Sequence, residues 1–143
     1  MLERRGDEMA EQNTIFESLD LNPETGNLTA QHGGISYHLE SQNGLPHARS
    51  VVSNLKGITA AARAYAAAEM LEQKNTSWPD EDEDENETII DAIEFQKRMI
   101  LESVWVNDDQ SMTLWFDDGG LFDGHSIAVE FDGRNWTGSS IQG

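Results

Sequence analysis

Hydrophobic residues recur along this chain in two different rhythms. Between Ile35 and Glu40 apolar and polar residues alternate, the period of a half-buried strand. Before it, Ile15, Ser18, Leu19 and Leu21 read as a strand from Thr14. It runs into Asn22-Pro23-Glu24-Thr25-Gly26-Asn27, a dense turn signal, and Leu28 to Gln31 returns as its partner. Gly33-Gly34 separates that strand from the next. The rhythm then changes to threes and fours: Val51, Leu55, Ile58, Ala62, Tyr65 and Ala66 mark one face of a long helix from His47 to Gln73. Pro46 suits its first turn, the run Ala60–Ala68 gives it high propensity, and Gly57 is the expected bend. Trp78-Pro79 closes it.

A second, shorter helix follows, with Thr88 and Asp91 as its capping box and Ile89, Ile90, Ile93 and Phe95 as its apolar positions. Lys97 and Arg98 lie where a C-terminal turn favours cations. Four strands complete the chain: Leu101–Val106, Met112–Phe116, His125–Phe131 and Trp136–Ile141. Short turns at Asn107–Gln110 and Asp132–Asn135 make neighbours antiparallel. Trp105 and Trp115 fall on adjacent strands and are expected in the core or as cross-strand partners. The pattern predicts an α+β domain over 14–143. Its antiparallel sheet comes mainly from the C-terminal meander, joined by the N-terminal hairpin strands. One long and one short helix pack on one face.

Charge changes this picture in two places. Residues 1–13 are polar and are expected to form a disordered extension. They do not read as a secretory leader, and Met9 offers a second start. Asp80-Glu81-Asp82-Glu83-Asp84-Glu85 lies within a predicted acidic loop at 79–87, too dense in like charge to pack. The block fails the EF-hand pattern, because Glu85 stands where that loop needs glycine. The net charge is −18, which repels nucleic acid and anionic membranes and attracts basic proteins. The chain has no cysteine, so disulfides, thiol nucleophiles and thiolate metal sites are excluded. A cytoplasmic location fits this composition.

One connection carries candidate chemistry. Asp117, Asp118, Asp123 and His125 surround three glycines, and carboxylates with an imidazole are ligands for zinc, manganese or iron. Their convergence would suit metal-assisted hydrolysis. The same residues are what a tight turn needs, and no H-E-x-x-H or H-x-H spacing accompanies them. His32, His38 and His47 read as a turn residue, a strand residue and a first-turn helix residue. No Walker, dinucleotide-binding or nucleophile-elbow motif is present.

The C-terminal part resembles bacterial families catalogued as domains of unknown function. The resemblance rests on residues 88–143: Glu94-Phe95, Asp117-Asp118-Gly119, the run Leu121-Phe122-Asp123-Gly124-His125-Ser126-Ile127-Ala128-Val129, and the closing Ile141-Gln142-Gly143. The run is similar to a Leu-Phe-x-Gly-His-x-Ile-x-Val signature. Asp123 departs from it where many members carry Trp, which removes a packing contact. The resemblance implies no particular activity. Some similar proteins look like immunity proteins of toxin systems.

Two functional expectations follow. The first is a non-enzymatic protein-binding domain, immunity-like in its specific form, that engages a basic protein through Asp80, Glu81, Asp82, Glu83, Asp84 and Glu85 without a cofactor. The second is a metal-binding domain or metal-dependent hydrolase that holds a divalent cation on Asp117, Asp118, Asp123 and His125. The lack of a catalytic motif favours the first.

Overall fold

The computed structural model describes residues 19–77 and 89–142. The extension expected at 1–13, the acidic loop at 79–87 with Asp80–Glu85, Trp78 and Thr88 lie outside the described residues.

The alternating segments form one sheet. Its strands are β1 (Asp20–Leu21), β2 (Leu28–His32), β3 (Ile35–Leu39), β4 (Ile100–Val106), β5 (Met112–Asp117), β6 (Ser126–Phe131) and β7 (Trp136–Gln142), arranged in sequence order. The turn after Leu21 forms as its composition dictates: Asn22 donates to the Asn27 carbonyl and Gly26 to that of Asn22. Every neighbouring pair is antiparallel except β3 and β4, which run parallel from Ser36↔Ser103 to Leu39↔Val106. A purely antiparallel sheet is therefore corrected to a mixed one. The helices between β3 and β4 make a crossover long enough to return the chain in the same direction.

The helical part also differs from one long and one short helix. Three α-helices are described: α1 (Leu45–Ser53), α2 (Leu55–Ser77) and α3 (Ala92–Arg98), with a 3₁₀ turn at Gln42–Gly44 before them. The break falls at Asn54 rather than at Gly57. The Asn54 N–H reaches the carbonyls of Ser50, Val51 and Val52, and its side-chain amide donates back to Ser50 O at 2.9 Å. Side chains of this kind compete with the helical ladder. Gly57 continues as ordinary helix. The cap of α3 is Asp91, whose carboxylate accepts from Glu94 N–H at 2.8 Å, one turn later than the expected box.

The core unites alternate strand positions with helix positions. Leu28, Tyr37, Leu39, Val104, Leu114, Phe116, Ile127 and Val129 cluster with Val51, Ala62, Ala66, Met70 and Phe95. The alanines leave room for α2 to lie close to β6 and β7. Arg63 donates to Met99 O at 3.0 Å with its guanidinium 5.7 Å from the centre of the Phe116 ring. Ser139 donates to Glu69 at 2.6 Å, which holds that carboxyl below its ordinary range. Asn75 makes a reciprocal pair with the backbone of Ile90, 3.0 Å in both directions, tying the end of α2 to the approach to α3.

Candidate functional site

The connection from Asp117 to His125 is built around one buried carboxylate. Asp118 is fully buried. Its Oδ1 accepts from Gly120 N–H at 2.9 Å, and its Oδ2 accepts from Phe122, Gly124 and His125 N–H at 2.8, 3.1 and 3.0 Å. An acceptor serving four backbone donors organises the loop around itself. Asp117 caps Gly119 N–H at 2.9 Å. The His125 Nδ1–H donates to the Phe122 carbonyl. Asp123 sits exposed at the tip with φ of 60°. The four candidate ligands thus share one loop, but Asp118 and His125 direct their polar atoms at its backbone. Among the described residues no group of three or more His, Asp or Glu is arranged to hold a metal ion.

The other histidines separate as their positions dictate. His32 ends β2, exposed, and His47 lies in α1. His38 stands on the sheet positions that alternate with the core, stacked on Trp105 with ring centroids 4.3 Å apart and 14° between planes. Burial pushes its pKa below the usual histidine range. The imidazole beneath Trp105 is therefore neutral near pH 7.

These alternate positions form a surface of their own. Thr29, His38, Trp105, Thr113, Glu130 and Gly138 lie side by side across the ladder. The next row is Gln31, Ser36, Ser103, Trp115, Ala128 and Ser140, and beyond it Ile100 pairs with Asp117 and Ser126. Trp105 is 43% exposed and Ile100 57%. The expectation of core tryptophans is corrected, and the two do not pair with each other: Trp105 meets His38 across strands. Val104 and Val106 take the core positions of β4, which turns Trp105 outward, and its ladder partner is Thr113 while that of Trp115 is Ser103. Around the large side chains most positions are small.

Cations are kept off the sheet. Among the described residues no strand contains a lysine or arginine, while Asp20, Glu102, Asp117 and Glu130 all lie on strands. The cations of the described residues sit on helices, at Arg49, Lys56, Arg63, Lys74, Lys97 and Arg98, and in one turn at Arg134. Beside the Trp105–His38 stack is a notch of about 120 Å³, bordered by Glu40, Asn27 and Asn107. Glu40 is fixed there by accepting from Asp108 N–H at 2.9 Å, and Asp108 in turn accepts from Ser41 Oγ at 2.8 Å. An aromatic wall next to a carboxylate is a receptor for a cationic side chain.

Sequence reasoning placed the acidic contact surface at Asp80–Glu85, expected Trp105 in the core or as a cross-strand partner, and did not single out Ile100. The signal was present in Val104-Trp105-Val106, where alternation puts the tryptophan opposite two valines.

Neither the curated proteins nor the solved structures contain a match to this chain. A family model described as an uncharacterized protein conserved in bacteria (DUF2262) matches residues 14–139, and the chain belongs to that bacterial family.

Proposed function

We propose that this protein is a non-enzymatic binding domain that docks a basic protein partner on the sheet face centred on Trp105. The observation that carries the reading is a solvent-facing set of strand positions with exposed Trp105 and Ile100 and no lysine or arginine on any described strand. Tryptophan is among the residue types enriched at the energetic centres of interfaces. Neighbouring carboxylates at Glu40 and Glu130 give the surface the sign that selects arginine and lysine. The net charge of −18 extends that selection to long range and speeds encounter. The acidic segment Asp80–Glu85 adds to the steering field in this reading and is not the docking surface. An immunity-like role, with a basic toxin as the partner, is the specific form that the sequence resemblance implies.

Affinity capture from a bacterial lysate tests the reading, with wild type and Trp105→Ser immobilised in parallel. Basic proteins retained at low salt by wild type, released at high salt and lost from Trp105→Ser support it. Equal retention by both forms refutes the placement of the surface. Losing a hot-spot tryptophan costs about 2 kcal/mol, roughly thirtyfold in Kd.

A further inference from the structure

A second recognition site of opposite sign lies between the helical elbow and the sheet. Where α1 gives way to α2 at Asn54, the two helices pass over the row Met112, Phe131 and Trp136, which are paired side by side across β5, β6 and β7. A register shift at Glu130/Phe131 sets Phe131 and Trp136 into an edge-to-face pair with centroids 4.9 Å apart. The helices facing this row carry small residues at Ser50, Ser53, Gly57 and Ala61, so the space between them stays unfilled. The resulting cleft measures about 590 Å³, within the range of roughly 300–1,000 Å³ usual for small-molecule sites.

Two features of the lining specify a ligand. Among the described residues no Asp or Glu lines this cleft, whereas Lys56 does. His47 lines the cleft, and its Nε2 is buried with no hydrogen-bond partner among the described residues. A buried polar nitrogen left unmatched is costly, and a ligand group that pairs with it recovers that cost. The first turn of α2 also contains no acidic residue, so nothing there neutralises its positive end. We propose that the cleft binds a small amphipathic carboxylate. Its apolar body lies on Met112, Phe131 and Trp136, and its carboxylate lies between the Lys56 ammonium and the His47 Nε2–H. The site is independent of the sheet face around Trp105, and it takes an anion where that face takes a cation.

Octanoate and its uncharged counterpart octanol are the probes. Each is titrated into the full chain, with binding read from Trp fluorescence, from the thermal midpoint and from the imidazole signals of His47 by NMR. Octanoate is expected to bind saturably, to shift the His47 signals and to bind more tightly than octanol. Lys56→Gln should weaken octanoate about tenfold, the loss of one hydrogen bond to a charged group, and leave octanol unchanged. Gly57→Leu should abolish binding of both without loss of fold, because a Cβ at Gly57 meets no atom within 4 Å. His47→Phe should keep or raise the midpoint while weakening octanoate. Octanol binding as tightly as octanoate, or full octanoate binding by Gly57→Leu, overturns the proposal. So does a titration that does not saturate.

Discussion

Removing the Asp118 carboxylate should unfold the 118–125 loop at a cost that can be worked from its bonds. In Asp118→Ala the Phe122 N–H stays buried with no acceptor, for about 1–3 kcal/mol. The N–H groups of Gly120, Gly124 and His125 are partly accessible and recover water, so each loses about 0.5–1.5 kcal/mol. The total is about 5 kcal/mol, a large part of the roughly 5–15 kcal/mol that holds a domain of this size together. Asp118→Asn keeps one carbonyl oxygen for the three donors now on Oδ2 and turns an amide NH₂ toward Gly120 N–H. It should cost about half as much. Urea unfolding followed by Trp fluorescence reads both. With a slope of about 2 kcal/mol/M, the Ala variant loses about 2.5 M in midpoint. An Ala variant within about 1 kcal/mol of wild type, or an Asn variant worse than the Ala variant, would refute the claim that this carboxylate organises the loop.

The same loop offers a second comparison, because a Cβ on Gly119 would lie 2.2 Å from Arg98 O at φ +58°, whereas one on Gly120 at φ +88° meets open space. Gly119→Ala should therefore cost more than about 3 kcal/mol and Gly120→Ala about 1 kcal/mol by urea midpoint; equal losses would mean that the backbone relaxes away from the contact. His38 carries a pH prediction. Its folded pKa is depressed by burial, so the unfolded chain takes up a proton first as pH falls through the ordinary histidine value near 6.5. The His38 contribution is then fully present above that value and lost below it, and His38→Gln should flatten this part of the stability profile. An NMR titration placing His38 above its ordinary value contradicts the sign.

Much of the architecture can be read from the spacing of apolar residues. Ile35–Leu39, Met112–Phe116 and Ser126–Phe131 alternate because one side of each strand is buried, and each is a strand in the structure. The parallel pairing of β3 with β4 cannot be read that way. Alternation fixes which side of a strand is buried and is silent on which neighbour it meets across an intervening helical crossover. The helix break was misplaced for a local reason. Gly57 has the larger intrinsic penalty, yet it sits in an ordinary turn, while Asn54 has a side chain that bonds back to Ser50 O. The role of Asp118 was half legible: Asp-Asp-Gly-Gly announces a turn, but only the folded loop shows that one carboxylate serves four donors. The cleft at His47 leaves no sequence signal, since it is space left between small helix residues and a row drawn from three strands. The lack of lysine and arginine in the described strands can be read directly from their sequences. Its meaning depends on knowing that those strands form one surface.

The central claim is that the Trp105 face, rather than the acidic segment, receives the basic partner. Titrating a hexa-arginine peptide into isotopically labelled protein and following amide and indole signals by NMR tests it most directly. Salt-sensitive shifts centred on the Trp105 indole, His38, Thr113 and Glu130 are expected, with loss of binding in Trp105→Ser. Shifts confined to residues 80–87, or unchanged binding by Trp105→Ser, would contradict it.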